Sequence, residues 1–173
     1  MVEYHDTEWG APVGDDHDLF ERLALESFQA GLAWITILRK REAFRLAFGG
    51  FDPRRVSRYD DADRARLLAD AGIVRNRAKI EATIGNAASF LAAASEHGSF
   101  VAYLADRLPR PVPILTADAL RADVPARTAE SDALSFDLRR RGFRFVGSTI
   151  VYAFMQSVGL VDDHLPFCFL YRG

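Results

Sequence analysis

Arg141-Gly142-Phe143-Arg144-Phe145-Val146-Gly147 joins two stretches of helical character, Asp132–Arg141 and Ser148–Gly159, and its paired glycines set the reading of the chain. Glycine at each end allows left-handed backbone angles and lets another group approach with no Cβ in the way. A helix opening at Ser148-Thr149 turns its unpaired N–H groups outward, which makes an anion site. Two interpretations fit this string alone. One is a clamp on a nucleic-acid phosphate, with Gly142, Arg144, Phe145, Gly147 and Ser148 meeting the backbone. The other is a plain helical corner with glycine as the cap. In either case Phe145, Val146, Ile150 and Phe154 are expected to pack the unit onto the core.

Outward from the hairpin the chain reads as all-α, because apolar residues recur at three and four while strand alternation is scarce. Asp15 or Asp16 caps a first helix carrying Leu19, Phe20, Leu23, Phe28 and Ala30, which Gly31 ends or bends. A second helix spans about Ala33 to Phe48, and Gly49-Gly50 with Pro53 marks a turn. Arg55–Ala71 and Asn76–His97 read as helices meeting at Gly72-Ile73-Val74-Arg75. Phe100–Arg107 is a short helix, and Pro109, Pro111 and Pro113 make an extended connector. Thr116–Arg121 forms one turn, and Ser131 caps Asp132–Arg141.

At 173 residues, 49% hydrophobic and 27% charged, the chain can bury a sizeable core as one domain or two small helical lobes. One cysteine excludes an internal disulfide framework and suits a reducing cytoplasm. No segment approaches the ~18 uncharged apolar residues that span a bilayer, so no membrane partner is expected. The start lacks a charged region followed by an apolar run, and no export signal is read. The net charge of −2 is not that of a nonspecific nucleic-acid binder. A local basic face still suffices, since phosphate attraction acts over about a Debye length. Its candidates are Arg75, Arg77, Lys79, Arg139, Arg140, Arg141 and Arg144.

Leu19, Leu23, Glu26 and Ala30 fall in a narrow stripe on one face of the first helix. A glutamate in an apolar stripe is costly unless paired or functional, and burial raises its pKa. Either an arginine satisfies Glu26 in the core or the acid serves a site. Tyr4, Trp9 and Trp34 surround it in sequence, and aromatic faces plus one acceptor suit a flipped, electron-poor purine. A cationic base such as 3-methyladenine would add cation–π attraction and a charge-assisted hydrogen bond.

His5, His164 and Cys168 lie near the two chain ends, and His164 and Cys168 have the i, i+4 spacing of converging metal ligands. His5 joins them only if the termini meet. Three ligands leave a zinc tetrahedron open. His17 and His97 read as surface residues.

The hairpin spacing resembles that of the helix-hairpin-helix DNA glycosylases, whose bifunctional members carry a Schiff-base lysine two residues after the second glycine. Thr149 stands there and cannot form one, which implies a monofunctional enzyme without a lyase step. More narrowly, the chain strongly resembles the constitutive bacterial 3-methyladenine DNA glycosylases. The strings are Tyr4-His5-Asp6-x-Glu8-Trp9-Gly10, Leu25-Glu26-x-x-Gln29-Ala30-Gly31-Leu32-x-Trp34-Ile35-Thr36, Gly72–Arg75, the hairpin and Phe154-Met155-Gln156. The resemblance implies one glycosylase domain over residues 1–173, in a helix-hairpin-helix fold with the termini tied by zinc. It implies a monomer that excises 3-methyladenine from alkylated double-stranded DNA. Glu26 would be the catalytic acid that contacts the base edge, Tyr4 and Trp34 the stacking rings, and Trp9 a pocket residue of second rank. His5, His164 and Cys168 match three zinc ligands, while the family's cysteine and tryptophan ahead of Tyr4 have no counterpart in Met1-Val2-Glu3. The string Val161-Asp162-x-His164 resembles the stretch that holds the catalytic aspartate in other helix-hairpin-helix glycosylases, so Asp162 is expected to help stabilise the sugar cation. The rival readings are a noncatalytic damage-binding paralogue and a zinc-tied regulatory protein with no base pocket.

Overall fold

The computed structural model describes residues 1–108 and 112–172. Among them lie α1 (Val2–Thr7), α2 (Asp16–Gln29), α3 (Trp34–Ala47), α4 (Pro53–Val56), α5 (Asp61–Ala69), α6 (Arg77–His97), α7 (Phe100–Ala105), α8 (Ala129–Arg140) and α9 (Ser148–Ser157). Short 3-10 turns occupy Gly49–Phe51 and Arg121–Asp123, and no strand occurs among the described residues. No helix there is long and apolar enough to cross a membrane. Pro109 and Pro111 of the expected connector lie outside the described residues.

Helix α2 runs through the middle, packed against α3, α6, α7 and α9. Its burial exceeds the single stripe expected from periodicity, because Leu19 to Phe28 are buried at every position except Arg22. Phenylalanines form the surrounding core. Phe20 meets Phe90 at 5.3 Å, Phe28 meets Phe44 at 4.6 Å, and Phe90 stacks on Phe100 at 3.9 Å. Asp15 caps the start of α2 by accepting from the His17 and Asp18 amides. Its end is closed from afar, by Lys79 Nζ donating to the Phe28 and Ala30 carbonyls at 2.7 and 2.6 Å. Lys79 is thus buried, not part of a basic surface, and burial lowers its pKa.

Three local expectations need correction, and one element was missed. Arg55–Ala71 is two helices, because α4 ends at Val56 and Asp60 and Asp63 form a capping box that starts α5 afresh. The cap of α8 is Thr128, with Ser131 as its reciprocal partner three residues inside. The turn at Thr116 closes at Ala119, and the helical turn follows it at Arg121–Asp123. The six-residue α1 went unforeseen, being too short to display a period.

Candidate base pocket, anion site and metal centre

Tyr4 of α1, Glu26 of α2 and Trp34 at the start of α3 converge on one cavity of about 640 Å³. The Gly31 turn (φ +79°) folds α3 back beside α2, so eight residues of sequence bring Glu26 and Trp34 to the same space. The Tyr4 and Trp34 ring centroids are 5.4 Å apart. Glu26 is 4% exposed, and its Oε2, the Tyr4 hydroxyl and Trp34 Nε1 are buried without a hydrogen-bond partner among the described residues. Buried polar atoms are nearly always paired, so a cluster of orphans around one cavity marks a place for a ligand. Burial pushes Glu26 up to about 8, opposed by the Arg22 charge. Burial, then the nearby Glu26, pushes the Tyr4 hydroxyl up to about 12.

Trp9 lines the same cavity but is turned toward the histidines, edge-on to His164 at 4.8 Å and stacked on His5 at 5.9 Å. The termini do meet. Cys168 Sγ lies 3.6 Å from His5 Nε2, and the ligand atoms of His5, His164 and Cys168 all fall within 4.8 Å of one another. Asp6 holds His5 Nδ1 at 2.8 Å and Asp162 holds His164 Nδ1 at 2.6 Å, which leaves both Nε2 atoms directed elsewhere. His164 Nε2 is buried and unpartnered. This donor set fits a zinc ion. Gly10 explains part of the Trp9-Gly10 string, since at φ +77° a Cβ there would lie 2.5 Å from His164 Cε1.

Asp162 does not line the cavity, contrary to the expectation of a role at the sugar. Its Oδ1 accepts from the backbone and ring of His164, and Arg172 approaches its Oδ2 at 3.5 Å. The adjacent Asp163 does line the cavity, held there by Tyr152 and Gln156. Gln29, Arg121 and Phe167 also reach the cavity; Gln29 stood in a family string without an assigned role, and the other two escaped the sequence reading. Only Gln29 carried a signal, lying three residues from Glu26 on the same helix.

The hairpin closes α8 onto α9 as expected, with different internal devices. Gly142 adopts φ +94°, but Gly147 has φ −64°, which any residue accepts. The second left-handed residue is Phe145, at φ +56°. Three side chains hold this turn, Asn86 of α6 and Ser27 of α2 from outside it and Ser135 from its own helix α8. Asn86 brackets Arg144 by bonding both its N–H and its carbonyl, at 2.8 and 2.9 Å. Ser135 donates to the Val146 carbonyl at 2.7 Å, and Ser27 to the Phe145 carbonyl at 3.2 Å. Phe143, Val146 and Phe154 are buried, whereas Phe145 is 37% exposed and not part of the core. Gly147 is the N-cap of α9 and offers no side-chain acceptor, so the first N–H groups from Ser148 onward stay free for an anion. Arg139, Arg140 and Arg144 are exposed beside it. Arg141 is already committed, to Glu96 at 2.7 Å and Asp137 at 3.0 Å.

Residues 1–171 match the family described as methyladenine glycosylase. The chain belongs to the methyladenine glycosylase family. It is 46% identical over 172 residues to DNA-3-methyladenine glycosylase 1 of Escherichia coli, covering 99% of this chain and 91% of that protein. It is 44% identical over 167 residues to DNA-3-methyladenine glycosylase of Haemophilus influenzae, covering 96% and 90%. A solved structure of 3-methyladenine DNA glycosylase I from Staphylococcus aureus, described as the structural basis of 3-methyladenine recognition, superposes with a TM-score of 0.94. The identity is 36%, over 99% of this chain and 91% of that one. The all-helical architecture of this methyladenine glycosylase is thus that of solved relatives.

Proposed function

We propose that this chain is a monofunctional DNA glycosylase of base-excision repair that releases 3-methyladenine from alkylated double-stranded DNA. The observation that carries this reading is the meeting, in one cavity, of a buried acid, a phenol and an indole whose polar atoms have no partners. A flipped purine supplies what those atoms lack, and the rings supply stacking. Methylation at N3 makes the base cationic, so Glu26 gains a counter-charge when the base enters and ionises in response. Trp9 backs the pocket through the histidines.

The chemistry asks for little acid catalysis. The bond from the anomeric carbon to N9 breaks, its electron pair passes to N9, and the departing purine is neutral. Water bonds to the anomeric carbon and gives its proton to solvent, leaving an abasic site. Pocket groups favour the distorted, charge-separated state over stacked DNA. The hairpin contributes by fixing a phosphate at the free N–H groups of α9, with Arg139, Arg140 and Arg144 supplying attraction. Thr149 leaves no amine for a lyase step.

Zinc would be held by His5 Nε2, His164 Nε2 and Cys168 Sγ, and when bound it joins the amino-terminal helix to the carboxy-terminal segment. That tie supports Tyr4, the residue beside His5.

The assay that tests the reading is release of free 3-methyladenine from methylated duplex DNA, with the product strand examined for breaks. Free base with intact strands is the expected result. Tight binding to methylated DNA with no release would instead identify a damage-binding protein.

A further inference from the structure

Glu26 remains unpaired although a guanidinium stands one helical turn away. Arg22 precedes it by four residues on α2, a spacing at which arginine and glutamate commonly meet. Arg22 reaches elsewhere, with Nη1 donating to the Ser157 carbonyl at 3.2 Å and Nη2 to Glu8 Oε2 at 3.3 Å. Glu8 Oε2 also accepts from Arg41 Nη1 at 2.6 Å, and Arg41 Nε donates to Glu21 Oε1 at 2.7 Å. Arg45 joins Glu21 to Glu42. Arg22, Arg41 and Arg45 thus face Glu8, Glu21 and Glu42, and the cluster is neutral before Glu26 is counted.

We propose that Glu8 is a positioning residue for specificity, which engages Arg22 so that Glu26 keeps no internal counter-ion and its charge is reserved for a cationic base. This rests on the reading of Glu26 as the group that receives the base. The titratable groups around Glu26 are Arg22 on its own helix and Tyr4 from α1, with Met1, His5, Asp163, His164, Cys168 and Arg121 on other walls of the cavity. Arg22 is the cation among them placed to neutralise it from within α2. With Glu8 uncharged, Arg22 is a largely buried cation short of an anion, and such a group takes the nearest one. An Arg22–Glu26 pair would cancel the charge that separates a methylated purine from a neutral purine of nearly the same shape.

The test is Glu8→Gln in the full chain, followed by carboxyl NMR of Glu26 across pH, the signal being assigned with Glu26→Gln. In the wild type, burial pushes Glu26 up to about 8, and the midpoint of its signal is expected there. In Glu8→Gln it is expected to fall by about a unit or more, and in Glu8→Gln/Arg22→Met to return upward, since no cation is left to capture it. Single-turnover release of 3-methyladenine is expected to drop about tenfold in Glu8→Gln and to recover in part in the double variant and in Glu8→Asp. A Glu26 titration unmoved by Glu8→Gln overturns the proposal and leaves the role of Glu26 standing, even if activity falls through lost packing. A titration that drops while release stays at the wild-type rate overturns the specificity role together with the reading of Glu26 as receptor.

Discussion

Ser27 Oγ on α2 shares its one proton between the Leu23 carbonyl of its own helix at 2.9 Å and the Phe145 carbonyl of the hairpin at 3.2 Å, so the helix that carries the pocket acid meets the turn between α8 and α9. Glu26 and Ser27 are neighbours in sequence, and one helical turn lines the cavity with the first and meets the hairpin with the second. Ser27→Ala is expected to cost about 1 kcal/mol in urea unfolding and to leave affinity for free 3-methyladenine nearly intact. Excision from DNA should slow by more than that affinity changes. Equal losses in the two measurements would contradict the coupling.

Glu26 opposes folding at neutral pH. Its folded pKa of about 8 lies above the ordinary value of 4.5, so the folded state binds a proton more tightly than the unfolded chain does. Stability from this group is complete below the ordinary carboxylate range and declines as pH rises through about 8. The total loss is on the order of 5 kcal/mol. Glu26→Gln should flatten that decline, leaving the variant more stable than wild type at alkaline pH and impaired in excision. Parallel stability profiles for the two proteins would refute this.

Lys79→Met removes the donor that closes the end of α2, leaving the Phe28 and Ala30 carbonyls unpaired. A loss of about 2 kcal/mol or more is expected, with a matching fall in Tm. Excision should suffer as well, since the Gly31 turn that positions Trp34 follows directly. A variant with unchanged Tm would show that solvent can replace the ammonium.

Gly10→Ala should displace His164, because the added carbon would sit 2.5 Å from its ring on a backbone at φ +77°. If zinc joins His5, His164 and Cys168, a chelator lowers the Tm of the wild type. The variant is expected to melt lower at the outset, to hold less zinc by elemental analysis, and to respond little to chelation. Undiminished zinc content would place the metal elsewhere.

Gly147→Val separates space from torsion. At φ −64° the backbone accepts valine, though a Cβ lies 3.3 Å from Arg139 Nη2, so folding is expected to persist. Duplex DNA binding should weaken, and the salt dependence of its affinity should fall by about one phosphate contact. Unaltered binding at controlled ionic strength would remove the phosphate from this turn.

The order of residues carries the helical periods, a cap at Asp15 or Asp16, the anomalous acid at Glu26 and the i, i+4 pair His164 and Cys168. Each of these is a local property, expressed within one or two turns of the chain, and each is visible before any helix is placed against another. Contacts between distant segments are of another kind. Lys79 closing α2, Asn86 gripping Arg144, and Glu8 drawing Arg22 and Arg41 join positions 14 to 58 residues apart. No period encodes such pairs, since they depend on how helices lie across each other once the phenylalanine core has formed. The same packing exposed Phe145, turned Asp162 toward His164 and gave Phe145 the left-handed angle that Gly147 was expected to need. Burial converted Glu26 from an oddity of pattern into a poised acid, because desolvation is a property of the assembled surroundings and not of the residue.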